Sequence, residues 1–451
     1  MQLDQALTHV AVLGAAGKMG SGIALLLLQE MSKLELEKTG TIGSGAYILN
    51  LIDVRADSFP QLRAYLRSQL FKYAEKNIND LRSCFAQNKD LISNEEIIDA
   101  YVNGALDLVS FDVSLEAAKN AHLIFEAIIE DVAIKSKIFR TIVEQGNKNG
   151  FFFSNTSSIP IHILNEKAQL SHRIIGFHFY NPPVIQKLLE IIIPPETHPD
   201  LVVLAHELAK RLKKTIVNSR DVAGFIGNGH MIREITFACE QVKELSKKYS
   251  LPEAIYMVNR VTQDWLVRPM GIFQLIDYVG IDVCQHIMST MRAYLKDATL
   301  VADLIDQMVK KDILGGQNPD GTQKNGFFSY AKYNLQGIYS LSEDTYIPLT
   351  SQRMITVERD LGEKPKGQPS WKDLQKNPHK KEILKAYFEL LYSQQALGAQ
   401  LAQNFLQNSC SIANKLLQDG VAASRADIDT VLMDGFYHIY GTEMCPQEVK
   451  A

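Results

Sequence analysis

His178 and Glu190 stand twelve residues apart in Gly176-Phe-His-Phe-Tyr-Asn-Pro-Pro-Val-Ile-Gln-Lys-Leu-Leu-Glu190. Imidazole is the side chain suited to take an alcohol proton near neutral pH. A carboxylate on its other ring nitrogen fixes the tautomer and steadies the imidazolium. The segment reads as a buried strand, a proline turn and a second apolar strand, a hairpin-like excursion that can return Glu190 to His178. On spacing alone, a core histidine and an unrelated glutamate is the commoner arrangement. Phe153-Ser-Asn-Thr-Ser157-Ser158-Ile-Pro160 places hydroxyls at a strand end, where open α/β sheets bind ligands; taken alone it reads better as an N-cap cluster. Asn228, in Ala223-Gly-Phe-Ile-Gly-Asn228, can hydrogen-bond into a cleft, although an asparagine there is more often a cap.

A second chemistry lies near the start. Val10-Ala-Val-Leu13 is a short buried-strand pattern, followed by Gly14-Ala-Ala-Gly17-Lys-Met-Gly20 and a helical run. Strand, glycine turn and helix open a dinucleotide-binding unit: the glycines let the backbone approach a pyrophosphate, and the helix points its free N–H groups at it. The next strand ends in Asp53, which can accept from ribose hydroxyls and repels a 2′-phosphate, favouring NAD over NADP. Arg55, two residues on, is the group that could serve that phosphate instead. A polar, glycine-containing loop from Lys33 to Ser44 separates the two strands.

Alternating strands and helices must position these groups. Strand-like runs recur at Leu106–Phe111, Leu123–Ile129, Gly150–Ser154 and Arg173–Phe179, which predicts a parallel α/β sheet. Residues 60–100 read as helices leaving that sheet. After about residue 215 the apolar spacing becomes three and four, with a turn-rich loop at 315–321, a proline-rich linker at Glu363–Pro369 and a long amphipathic helix beyond. Two helix starts, Ser250-Leu-Pro-Glu253 and Ser424-Arg-Ala-Asp427, share a capping-box pattern and look like distant copies.

Composition excludes several classes. Lys+Arg 47 against Asp+Glu 51 leaves a charge of −4, so no basic surplus is available for nucleic acid. No apolar run approaches the ~20 residues of a membrane span, and the N-terminus has no secretory pattern, so the chain reads as cytoplasmic. The five cysteines are scattered and never spaced as CxxC. They read as buried thiols, and no metal site is expected.

Taken together, Gly17–Ala24, Phe125–Glu130, Ser154–Ser158, His178–Pro182, Gly224–Asn228 and Pro269–Gly280 resemble the 3-hydroxyacyl-CoA dehydrogenase family in its own order. The resemblance covers the chain to about residue 330, with a family-like helical segment after 370. It implies an α/β class fold, a Rossmann-type doubly wound sheet domain followed by an all-α C-terminal region that is a pseudo-duplicated helical domain. The expected domains are an NAD-binding domain at 1–215 with its helical excursion at 60–100, a helical domain at 216–335, and a linker with a second helical domain at 336–451.

It also implies oxidation of (S)-3-hydroxyacyl-CoA to 3-ketoacyl-CoA with NAD in fatty-acid β-oxidation. His178 would be the general base and Glu190 its charge partner. Ser157 and Asn228 would hydrogen-bond the substrate. Gly14, Gly17, Gly20, Asp53, Glu130 and Lys135 would serve the cofactor. The family pattern implies a monomer with an internal pseudo-dimer or a homodimer, and a separate hydratase or thiolase partner stays open. The glycine turn departs from the family's Gly-x-Gly by one extra residue, and Gly227 and Gly229 stand where the family has larger side chains. The alternatives are a same-fold dehydrogenase of a non-CoA hydroxy acid and a non-catalytic NAD-binding relative.

Overall fold

The apolar run at the start of the chain becomes a central strand of an eight-stranded sheet in the computed structural model, which describes residues 1–318, 321–332 and 334–445. The chain divides into two units, Met1–Asp221 and Val222–Ala451. The first runs α1 (Leu3–Ala6), β1 (His9–Leu13), α2 (Lys18–Thr39), β2 (Ile48–Ile52), α3 (Phe59–Lys76), α4 (Ile78–Cys84), α5 (Asn94–Asp107), β3 (Val109–Asp112), β4 (Leu123–Glu126), α6 (Val132–Glu144), β5 (Phe151–Ser154), α7 (Ile161–Ala168), β6 (Ile174–Phe179), β7 (Leu188–Ile193), α8 (Pro199–Arg211) and β8 (Thr215–Arg220).

The strand order is β3-β2-β1-β4-β5-β6-β7-β8. Pairs from β3 to β6 are parallel, β7 is antiparallel to β6, and β8 is parallel to β7. This is the doubly wound sheet expected from the alternation, with its topological switch between β1 and β4. Phe125, Phe153 and Phe177 come from β4, β5 and β6. Their rings lie 4.7 and 5.2 Å apart in one hydrophobic core. Because successive residues of a strand face opposite sides, that apolar ladder turns Glu126, Ser154 and His178 to the other face. Aromatic pairs of this kind add about 0.5–1.5 kcal/mol each beyond burial.

The helical excursion is present as α3, α4 and α5. A capping box starts α5: Ser93 accepts from the Glu96 N–H and Glu96 accepts from the Ser93 N–H. The stretch from Lys33 to Ser44 is not one loop, however. α2 continues to Thr39 and ends at Gly40, whose φ of 70° is left-handed. The wholly buried Glu35 carboxylate then accepts from the N–H groups of Gly43 and Ser44, which fixes the turn.

The second unit runs α9 (Gly227–Leu245), α10 (Leu251–Arg260), α11 (Ile272–Val279), α12 (Ile281–Leu295), α13 (Asp303–Lys310), β9 (Phe328–Ala331), β10 (Asn334–Ser340), β11 (Thr345–Pro348), α14 (Gln352–Leu361), α15 (Trp371–Leu374), α16 (Lys380–Ser393), α17 (Leu397–Gln418) and α18 (Arg425–Thr430). The helical character expected here is present. One correction is needed: β9, β10 and β11 form an antiparallel sheet, so the region is not all-α. Leu335 lies inside β10. Of the expected turn-rich loop, Pro319 and Asp320 lie outside the described residues.

Both expected capping boxes form, at Ser250 with Glu253 and at Ser424 with Asp427. Each helix passes into a π-helical turn, Val261–Trp265 and Val431–Gly435. α9 packs on α17, with Phe237 and Phe405 edge to face at 5.0 Å and His230 Nε2 3.0 Å from Ser409 Oγ. The reading of all five cysteines as thiols is also corrected. Cys410 and Cys445 form a disulfide, while Cys84, Cys239 and Cys284 are free.

Candidate active site

The antiparallel pairing of β6 and β7 sets Glu190 directly opposite His178. Glu190 is wholly buried and His178 is 8% exposed. His178 Nδ1 lies 3.1 Å from Glu190 Oε2. A carboxylate can only accept, so Nδ1 carries the hydrogen and the ring's lone pair is on Nε2. Tyr180 donates its hydroxyl to the same Oε2 at 2.8 Å. The turn that joins the strands is held from outside: Lys214 Nζ donates to the carbonyls of Pro183 and Gln186. Burial pushes the Lys214 ammonium down to about 8.

Ser157 sits on a loop organised by one carboxylate. Glu130 Oε1 accepts from Thr156 Oγ1, the N–H groups of Ser157 and Ser158, and Ser158 Oγ, at 2.6 to 3.1 Å. Its other oxygen is 3.2 Å from Lys135 Nζ, which also contacts the buried Glu126 at 2.5 Å. Burial alone would raise the Glu130 carboxyl. The Lys135 charge and the loop donors outweigh it and hold the group below its ordinary value. For Lys135 the balance is similar: burial opposes the charge, the two carboxylates favour it, and it stays raised. Asp131 caps α6 by accepting from the Ile134 N–H, which brings Lys135 round to face both acids. Glu130 and Lys135 thus act on Ser157 by shaping its loop.

The glycine turn lies at the switch point between β1 and β4. Gly14 has a left-handed φ of 73°, and a Cβ there would lie 2.5 Å from the Ala127 carbonyl oxygen. A Cβ at Gly20 would collide with the Gly14 carbonyl. Gly17 is the N-cap of α2, so the helix dipole and its free N–H groups start from this cradle. Asp53, 8% exposed at the end of β2, accepts from the Ala16 and Arg55 N–H groups and retains lone pairs for a further donor. These features fit a dinucleotide.

A cleft of about 890 Å³ lies in the same unit, between α2, the turn α3–α4, the 184–187 turn and the end of α8. Tyr73 and Tyr101 stack in it at 5.7 Å, and the buried Tyr101 hydroxyl has no hydrogen-bond partner among the described residues. Lys76, Lys187 and Lys213 line this cleft and make no ion pair among the described residues. Neither Lys76 nor the cleft was singled out in the sequence, where a lysine on an exposed helix face looks like any other. Asn181, between His178 and the turn, was also missed; its Oδ1 is buried and unpaired among the described residues. Asn228 belongs to the second unit, in the first turn of α9, and is 8% exposed.

Among the described residues, no helix is long and apolar enough to cross a membrane, and no group of three His, Cys, Asp or Glu side chains could hold a metal ion. Residues 49–222 match the family model "3-hydroxyacyl-CoA dehydrogenase, NAD binding domain", and residues 224–325 match that family's C-terminal domain. A "Probable 3-hydroxybutyryl-CoA dehydrogenase" of Bacillus subtilis is 28% identical over 71% of this chain and 96% of its own length. A protein of the same name from Deinococcus radiodurans is 30% identical over 49% of this chain and 77% of its own. The crystal structure of 3-hydroxybutyryl-CoA dehydrogenase from Escherichia coli aligns over 97% of this chain and 90% of that one, with TM-score 0.61 at 18% identity, so the likeness of fold extends through the second unit. The chain belongs to the 3-hydroxyacyl-CoA dehydrogenase family and is an NAD-dependent enzyme.

Proposed function

We propose that this chain oxidises (S)-3-hydroxyacyl-CoA to 3-ketoacyl-CoA, the dehydrogenation of fatty-acid β-oxidation. The observation that carries the reading is the buried His178–Glu190 pair, in register on adjacent strands with Nδ1 turned to the carboxylate. His178 Nε2 takes the proton of the 3-hydroxyl, and Glu190 steadies the imidazolium through Nδ1–H. Bound NAD supplies the hydride acceptor for C3. The Gly14–Gly20 cradle and Asp53 would hold its pyrophosphate and ribose. Ser157, fixed by Glu130, hydrogen-bonds the oxygen at C3, so charge that develops there meets a positioned donor. Asn228 is assigned a second substrate hydrogen bond, in keeping with its family motif.

Lys76, Lys187 and Lys213, which line the 890 Å³ cleft and make no ion pair among the described residues, support a CoA thioester over a simple hydroxy acid. They offer charge to phosphates that a hydroxy acid lacks. The experiment is NADH oxidation with acetoacetyl-CoA and with a long-chain 3-ketoacyl-CoA, beside His178→Ala. Turnover is expected in the wild type. In the variant it should fall ~10²–10⁴-fold with NADH affinity nearly intact. No turnover with either substrate while NADH binds would refute the assignment, and an equal loss of NADH affinity in the variant would make His178 structural.

A further inference from the structure

One oxygen of Glu190 holds two donors. Oε2 accepts from His178 Nδ1 at 3.1 Å and from the Tyr180 hydroxyl at 2.8 Å. Tyr180 lies two residues beyond His178, and the two rings are 4.9 Å apart, tilted by 43°. Glu190 is wholly buried and His178 is 8% exposed, and the half-buried Tyr180 places its hydroxyl on the buried carboxylate. In such surroundings a hydrogen bond to the charged form is strong, and a carboxylate oxygen already holding a phenol proton offers less negative charge to its next donor.

We propose that Tyr180 is a positioning residue for the base. Its hydroxyl fixes which carboxylate oxygen faces Nδ1 and weakens the pull of Glu190 on the imidazolium, so that His178 gives up its proton more readily. This rests on the reading of His178 as general base. Burial and the Glu190 charge hold the Tyr180 phenol well above its usual range, so the hydroxyl remains a donor throughout the working pH.

The other charged groups around the pair differ in kind. Val217 of β8 stands in register beside Glu190 and is uncharged. On the opposite face, α8 covers Phe177, Phe179, Leu189 and Ile191, and Lys214 lies 5.6 Å over the Phe179 ring. On the His178 face, α7 meets β6 through Ile161 at Gly176, with its Glu166 and Lys167 exposed and its His162 2.7 Å from Asp221, and the loop after β4 carries Glu130, paired with Lys135. Tyr180 is the neutral donor whose removal changes the shared oxygen without adding or deleting a charge.

Tyr180→Phe is the test, read by two measurements. One is the acidic limb of kcat/KM for oxidation of 3-hydroxybutyryl-CoA by NAD. The other is the NMR titration of the His178 imidazole, assigned with His178→Ala. Both midpoints are expected to move up by about half to one pH unit, and the difference is expected to vanish when the same change is made in a Glu190→Gln background. Tyr180→Met repeats the test without the aromatic ring, should Tyr180→Phe fold poorly. Midpoints that stay within about 0.2 unit in the folded variants, or move down, overturn the proposal. A shifted NMR titration without dehydrogenase turnover supports the role of Tyr180 and removes the functional reading. Turnover with an unmoved titration does the reverse.

Discussion

Lys135→Met removes one cation from between two carboxylates. Lys135 is 1% exposed and Glu126 is wholly buried, with Nζ 2.5 Å from Glu126 and 3.2 Å from the partly exposed Glu130. Without the ammonium, Glu126 keeps only the Ser154 hydroxyl at 2.6 Å and the Ile128 N–H at 2.8 Å as donors to its side chain among the described residues. Methionine has nearly the volume of lysine, so the dominant loss is electrostatic. Removing one partner of a buried pair costs about 3–5 kcal/mol, because the remaining charge is uncompensated. The variant should lose that amount in urea unfolding. Glu126→Gln in the same background should restore at least half of it, since no lone charge is then left buried. Both tryptophans, Trp265 and Trp371, lie in the second unit, so the transition should be followed by far-UV circular dichroism. The pH dependence has a defined sign. Glu130 is held below its ordinary value, so its contribution is present above about 4.5 and is lost as the pH falls through the lowered value. That acid-side slope should flatten in the variant. Loss of less than about 1 kcal/mol, or a double variant as weak as the single one, would refute the view of Lys135 as the brace of this network.

Three further outcomes are expected. Asp53→Ala should weaken NAD binding and relax discrimination against NADP, measured as the ratio of kcat/KM for the two; an unchanged ratio assigns the ribose contact elsewhere. Lys76→Ala should raise KM for acetoacetyl-CoA by about five- to tenfold, roughly one charge-assisted contact, while leaving KM for the N-acetylcysteamine thioester, which has no phosphates, unchanged; equal effects on both would remove the cleft from the CoA assignment. Burial pushes Asp277 up to about 7, against the N–H groups of Phe327 and Phe328 and the Tyr330 hydroxyl. Its contribution to stability is therefore full below about 3.8 and is lost as the pH rises toward 7, so Asp277→Asn should flatten the urea midpoint against pH across that window, and an unchanged slope would contradict it.

The sheet was legible because its evidence is local. Apolar runs bounded by glycine, proline and polar turns repeat from Val10 to Phe179, and their alternation with helices leaves few topologies open. The approach of Glu190 to His178 could be anticipated from two strands and a proline turn, but not the register, since a slip of one residue would send Glu190 to the opposite face. Glu130 and Lys135 enter only through the family resemblance, and their brace with Glu126 could not be read from the residues. Lysine is rarely buried, and nothing local distinguishes Lys135 from a solvated helix residue. Lys33–Ser44 reads as a polar, glycine-containing loop, yet Leu34, Glu35 and Leu36 are buried and the helix continues to Thr39. The sheet of β9 to β11 escaped because its strands are short, glycine-interrupted and paired antiparallel. Cys410 and Cys445, 35 residues apart, carry no local sign of pairing.

The capping boxes were the visible edge of a deeper repeat, whose true register is fixed by backbone features rather than by those serines. α9 and α17 begin at Gly227 and Leu397, the π-helical turns at Val261 and Val431, and the left-handed residues are Val267 and Tyr437. Each pair is separated by 170 residues. So are Gly271 and Gly441, where a Cβ would collide with Asn259 and Asp429, themselves 170 apart. Those two side chains do the same work, accepting the N–H groups that open the next segment at Phe273 and Thr442. The two halves thus share these backbone features and contacts at one spacing although their sequences differ. The same register sets Asn228 against Gly398, which has no side chain and where a Cβ would lie 2.6 Å from the Trp265 ring. A second amide cannot stand there without displacing that tryptophan, which is 1% exposed. Of the two copies, then, the first retains the group assigned to substrate, and the second has given up that position to the helix packing between them.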